Sequence, residues 1–194
     1  MEAKALLAQG IEAQKRGQLG EAEDLYNKAL KTEPTLAEAW SKLGVIRIMQ
    51  GKRSEAPEFF KRALAADENF LPAYNNLGLL HTELGNPREA EKICRRGLDI
   101  DASYLPLYMS LAVALRMQAK LPQAEEVYHE AFVLAPGDGG IWSSLGATLA
   151  EQGRQEDAAC VLEKAVALDP LNSEAHRMLT LCRTYAAGDP HIAA

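Results

Sequence analysis

The chain lacks what several common protein classes require. Its 194 residues include only three cysteines, Cys94, Cys160 and Cys182, an odd number with no CxxC pair. That composition offers no disulfide framework and fits a reducing compartment, where a buried thiol acts as a small hydrophobe. Positive charge is in deficit: the formal net charge is −6 and the isoelectric point about 5.3. A nucleic-acid binder would need Lys and Arg to neutralise phosphates, so that class is disfavoured. No apolar run approaches the roughly 18 residues of a membrane span. The early acid Glu2 and the short apolar run after it do not resemble a signal peptide. A soluble, cytoplasmic protein is expected. Aromatic residues make up 6% of the chain and hydrophobic residues 47%, enough for one ordinary domain or a short solenoid.

Catalytic signatures are missing as well. The chain has no phosphate-binding GxxxxGK[ST] or GxGxxG, and its histidines, His81, His129, His176 and His191, are scattered. None forms HExxH or pairs with a cysteine at metal-ligand spacing. No cofactor, metal or catalytic centre is expected.

What the chain does have is a period. Leu43-Gly44 returns as Leu77-Gly78 and Leu145-Gly146, with Leu111-Ala112 between them and a degraded copy, Gln9-Gly10, before them. Counting a 34-residue repeat from residue 3, position 4 is Leu6, Trp40, Tyr74, Tyr108 and Trp142. Position 8 is Gly10, Gly44, Gly78, Ala112 and Gly146. Position 20 is Ala22, Ala56, Ala90, Ala124 and Ala158, and position 24 is Tyr26, Phe60, Cys94, Tyr128 and Leu162. Positions 4, 7, 8 and 11 share one helical face, and 20, 24, 27 and 28 share another. Each repeat is therefore read as two amphipathic helices, A and B. Gly or Ala at position 8, set opposite Ala at position 20, should let them approach closely.

These residues resemble the tetratricopeptide repeat (TPR) family, whose W-x2-L-G-x2-Y, A-x3-F and late Pro they match without insertion over residues 3–172. The resemblance implies an all-α fold, a right-handed α-solenoid of antiparallel helix pairs. Five repeats are expected at 3–36, 37–70, 71–104, 105–138 and 139–172, then a capping helix at 173–187 and a flexible tail at 188–194. Gly17, Gly51, Gly85 and Gly153 fall where helix A must stop. The fourth repeat has Ala119 there, so Pro122 is expected to help start the next helix. Pro57, Pro72, Pro87 and Pro106 also belong to first turns, while Pro34, Pro136 and Pro170 follow helix B. Gly137, Gly139 and Gly140 suggest a late start to the fifth A helix, capped by Asp138, and either a hinge or merely a longer turn.

In the TPR family, positions 2, 5, 9, 12 and 13 of helix A line a concave groove, and helical spacing puts 2, 5, 9 and 12 on one face. Position 9 here is Ile11, Val45, Leu79, Val113, Ala147 and Leu181, apolar throughout. Ile48, Met49, Met109 and Met117 extend the strip. Lys42, Asn75, Asn76, Glu83, Ser110, Arg116 and Arg177 border it. The nominated groove is Ile11, Val45, Ile48, Met49, Asn75, Asn76, Leu79, Met109, Val113, Arg116 and Met117. It is read as a site for an apolar or amphipathic peptide, although position 9 could instead serve packing between A helices. The family's clamp for chaperone C-terminal carboxylates does not fit. From the second repeat its positions hold Ser41, Val45, Asn76, Pro106 and Ser110, and only Asn76 matches. A basic stripe at position 26, Lys28, Arg62, Arg96 and Lys164, reads as a solvated face, with Asp24 and Glu58 four residues before the first two.

The functional expectation is a non-enzymatic scaffold with a protein or peptide partner, no nucleic acid and no membrane span. Two alternatives stand beside it. The stretch from Leu181 through Gly188-Asp189-Pro190-His191-Ile192 resembles the junction after TPR arrays in some bacterial proteins that continue into a sulfotransferase-like domain, which would make the chain the front of an enzyme. An uncovered strip or a weak cap could otherwise pair with a second copy.

Overall fold

Two apolar stripes per period call for helix pairs, and the computed structural model, which describes residues 2–186, contains them. The described residues form α1 (Glu2–Lys15), α2 (Leu19–Thr32), α3 (Ala37–Met49), α4 (Ala56–Ala66), α5 (Leu71–Glu83), α6 (Pro87–Ile100), α7 (Leu105–Met117), α8 (Leu121–Leu134), α9 (Gly139–Glu151), α10 (Gln155–Leu168) and α11 (Ser173–Ala186), with no strand among them. Each odd-numbered helix packs on the even-numbered one after it, and α11 lies on α10 and α9. The molecule is an α-solenoid. The expected tail, and with it half of the segment compared with an enzyme junction, lies outside the described residues.

The turns inside each pair share one geometry. Gly85 has φ +74°, and Asn86 N–H reaches back to the His81 carbonyl at 2.8 Å, the bond that closes a helix through a left-handed residue. Ala119 adopts the same conformation at φ +57°, and Lys120 N–H bonds Leu115 O at 3.0 Å. The fourth turn thus keeps the shape of the others without glycine. Prolines take the first turns of α4 through α8, Pro122 among them, where a missing N–H costs little.

The fifth A helix does not start late. It begins at Gly139, in register with Ala37, Leu71 and Leu105. Asp138 accepts a hydrogen bond from Gly140 N–H at 2.8 Å, which offsets part of the roughly 1 kcal/mol each glycine costs a helix. Phe132 also packs on Trp142, ring centroids 4.3 Å apart, across this junction.

The close approach within a pair has a different origin from the one expected. A methyl group added at Gly44 would sit 2.7 Å from the Phe60 ring, and one at Gly146 would sit 2.5 Å from Leu162. In the first, second and fifth pairs the glycine at position 8 therefore leaves room for Tyr26, Phe60 and Leu162 at position 24. The position-20 alanines are fully buried in all five pairs. A second recurring bond anchors the second to fifth A helices to the chain six residues before their aromatic. Trp40 Nε1 donates to Pro34 O, Tyr74 and Tyr108 hydroxyls to Glu68 O and Ala102 O, and Trp142 Nε1 to Pro136 O. The His176 ring meets Pro170 O at 3.1 Å, so the capping helix keeps the arrangement.

Neighbouring A helices touch one another, α3 with α5, α5 with α7 and α9 with α11, whereas neighbouring B helices make no comparable contact. In a curved stack the crowded row is the inner one. The A helices therefore form the concave layer.

Candidate partner-binding groove

Successive A helices meet with an offset of one residue beyond the 34-residue period. Asn76 Nδ2 donates to Ser41 Oγ at 3.2 Å, and Ser110 Oγ donates to Asn75 Oδ1 at 2.7 Å. Arg116 pairs with Glu151 across the same offset, and Gln14 reaches Met49 sulfur. Three polar groove candidates, Asn75, Asn76 and Arg116, thus carry bonds between repeats. Ser110, expected at the border, is buried at 3% exposure. Glu83 accepts from Arg53 at 3.2 Å, and Arg177 pairs with Glu174 within α11.

The apolar candidates lie beside this ladder. Met49, Leu79 and Met117 are 51%, 41% and 54% exposed, large values for such side chains. Ile11, Val45, Ile48, Met109 and Val113 are half-buried, and the first four of these also rest against the core. The row therefore does both things helical spacing allowed. Its half-buried members pack, and Met49, Leu79 and Met117 are open to solvent.

The basic stripe has a structural role that the sequence reading missed. Arg62 lies over the Trp40 ring at 5.2 Å, Arg96 over Tyr74 at 5.9 Å and Lys164 over Trp142 at 4.8 Å. A basic residue 22 positions after an aromatic was the available signal. Arg62 also pairs with Glu58, as the i,i+4 spacing implied.

A second overlooked pattern ties three of the B helices, α2, α6 and α8, to the next A helix. Glu23 accepts from Arg47 at 2.6 Å and Gln50 at 3.1 Å; Glu91 accepts from Gln118 at 2.9 Å and Lys120 at 2.8 Å. Glu125 accepts from Gln152 at 3.0 Å and Arg154 at 2.9 Å. The Arg47 hydrogen bond holds the Glu23 carboxyl below its ordinary range. Burial alone would raise Glu91, but its bonds from Lys120, Gln118 and Arg95 outweigh that and hold it at about 2. A Glu followed 27 residues later by Gln was legible in the sequence. At the junction of the second and third pairs these positions are Pro57 and Leu84, and the tie is missing.

Burial pushes the Cys94 thiol up to about 12, which makes it a packing group rather than a nucleophile. His81 is half-buried at the end of α5. Among the described residues no three His, Cys, Asp or Glu side chains gather as a metal site, and no helix is long and apolar enough to cross a membrane.

Paired helices at this period, aromatic anchors and a concave A row describe one architecture. A family model described as tetratricopeptide repeat matches residues 7–69 and 109–179, and a second of that description matches 47–115. The chain belongs to the tetratricopeptide repeat family. Among solved structures this TPR chain resembles PilW, a widely conserved type IV pilus biogenesis factor, with TM-score 0.86, 19% identity and coverage of 98% of this chain and 88% of that one. It resembles PilF of Pseudomonas aeruginosa with TM-score 0.81, 20% identity and coverage of 96% and 88%. YrrB, a TPR protein with an unusual peptide-binding site, aligns with TM-score 0.69 at 21% identity over 89% of each chain. At these identities the likeness establishes the fold. No curated protein sequence matches the chain.

Proposed function

We propose that this protein is a non-enzymatic scaffold whose concave A-helix groove receives an apolar or amphipathic peptide segment of a partner protein. A role in protein–protein interaction follows from the TPR scaffold itself. The observation that carries the finer reading is the row Met49, Leu79 and Met117, exposed on the inner layer and continued by Val45 and Val113. A monomer seldom leaves such a strip to water, and methionine suits a surface that must adapt to its ligand. YrrB, a fold relative, has a peptide-binding site, which supports looking for a peptide here.

The test is the triple variant Val45→Glu, Leu79→Glu, Val113→Glu, used beside the native chain to capture partners from the source lysate. Three carboxylates across the strip should abolish capture of the specific partner while the far-ultraviolet circular dichroism stays helical. Equal capture by both proteins would overturn the groove reading. Light scattering across concentration separates a partner-binding monomer from the self-pairing alternative.

A further inference from the structure

The third B helix carries a charge pattern that its counterparts do not. Arg88, Lys92 and Arg95 stand at i, i+4 and i+7 on α6, hence on one face, and all three are exposed. The residues equivalent to Lys92 in the first, second and fourth pairs are Asp24, Glu58 and Glu126. Those equivalent to Arg88 are Gly20, Ser54, Pro122 and Glu156. Exposed positions are free of packing demands, so the repeat does not require this inversion of charge.

The same three side chains line a cleft of about 1080 Å³, open to solvent, between the α5–α6 turn and the end of α7. Lys120 and Gln118 form the opposite wall, and Met117 joins the cleft to the apolar row of the groove. Two carboxylates are present and both are engaged. Glu91 takes Lys120 at 2.8 Å and Arg95 at 3.1 Å, and Glu89 takes Lys92 at 3.3 Å. Arg88 faces no carboxylate at ion-pair distance among the described residues. Four cations against two acids leave a positive cleft in a chain whose net charge is −6. Asn86 and Pro87, at the start of α6, also line the cleft, so the positive end of that helix faces it.

We infer that this cleft, formed by α6 and the end of α7, is a docking site for an acidic peptide segment that sets carboxylates against Arg88 and Lys92 and an apolar side chain against Met117. The space far exceeds what a lone oxyanion fills. A nucleic acid would bring a dense row of phosphates to a short basic face, past Glu89 and Glu91 and toward an acidic molecule. A peptide carries its carboxylates on side chains and brings an apolar neighbour, which is what the walls offer. The site shares Met117 with the groove row but includes none of Val45, Leu79 and Val113, so it can be tested apart from them.

The experiment is fluorescence anisotropy of the full chain with a fluorescein-labelled peptide of six Glu and two Leu residues. Saturable binding is expected, weakened about tenfold or more by Arg88→Glu/Lys92→Glu and to a smaller degree by Arg88→Gln/Lys92→Gln, and weakened again by salt. Both pairs are exposed, so helical circular dichroism should be retained. The Val45, Leu79, Val113 triple variant should bind this probe within about twofold of the native chain, an energy within thermal RT. Absence of saturable binding would overturn the site, as would unchanged affinity in the Glu pair. Inorganic phosphate or an oligothymidylate of equal charge displacing the peptide at matching concentration would also overturn it, in favour of a general anion site.

Discussion

Ser110 donates its hydroxyl to Asn75 Oδ1 across 2.7 Å, from α7 to α5. Ser110 is buried at 3% exposure, so its hydroxyl depends on that acceptor. Asn75→Ala should cost about 1–2 kcal/mol, the usual result of stranding a buried polar group. Asn75→Ala/Ser110→Ala should recover much of that loss, because neither partner is then left unmade. Urea unfolding of the four proteins in the cycle measures the coupling. Strictly additive effects would mean that Asn75 faces the groove alone, as its helical position suggested.

Acid should loosen the junction between the third and fourth pairs. Glu91 has its pKa lowered from 4.5 to about 2 in the folded protein. A group depressed in this way adds stability above its unfolded pKa and loses it as pH falls through the folded value. Glu91→Gln should therefore cost roughly 1–2 kcal/mol at neutral pH, where charge-assisted bonds count most. The gap between the two proteins should shrink below pH 4.5 and close near pH 2. Stability measured at intervals across that window decides it. A gap independent of pH would assign the effect to shape rather than charge.

The helix pairs were legible because packing residues recur with the backbone. Leu43, Gly44 and Ala56 must repeat wherever two helices close on each other, and the prolines then had only one sensible register. Val45, Leu79 and Val113 could be placed together for the same reason, since helical spacing alone puts them on one face. Asn75, Asn76 and Arg116 were beyond that logic. Their partners lie 35 residues away, one more than the period, and that offset comes from how adjacent repeats rotate against each other. Arg62 and Lys164 were seen as a stripe but not as lids over Trp40 and Trp142, because nothing within one helix joins those positions. The added charge at Arg88 and the inverted one at Lys92 stood in plain sight and became meaningful only once Lys120 and Met117 were found across a cleft from them.

Ala119 should be improved by losing its methyl group. It holds φ at +57°, where an L-residue pays a steric penalty that glycine avoids. Relief of about 1–2 kcal/mol is opposed by the roughly 0.4–1 kcal/mol that glycine's greater unfolded-state freedom removes. Ala119→Gly is expected to stabilise the chain by about 0.5–1 kcal/mol, seen as a higher melting temperature. Gly85→Ala, the opposite change in the preceding turn, should lower it. A loss on Ala119→Gly would show that the fourth turn depends on alanine for something other than backbone shape.

Gly97 invites the contrary substitution, and there the outcome should reverse. The other pairs have Ala29, Ala63, Ala131 and Ala165 at this position, so alanine looks like an improvement worth about 1 kcal/mol of helix propensity. The added methyl, however, would lie 2.5 Å from Leu107 Cδ1 and 3.1 Å from Tyr74 Cβ. Leu107 is fully buried, and Tyr74 Cβ is fixed to its backbone, so neither can yield cheaply. Ten residues on from Ala29, Ala63 and Ala165 stand Ala39, Ala73 and Ala175, while Ala131 is followed by Ile141 and Gly97 by Leu107. At Gly97 it is the Leu107 side chain that occupies the space a methyl would need. Overpacking of this kind costs about 1–3 kcal/mol, enough to outweigh the propensity gain. Gly97→Ala should therefore destabilise the native chain. In a Leu107→Ala background the same substitution should stabilise it, because the methyl then enters vacated space. Urea unfolding of the four proteins tests that reversal of sign, and a stabilising Gly97→Ala in the native background would show that the two helices can separate without penalty.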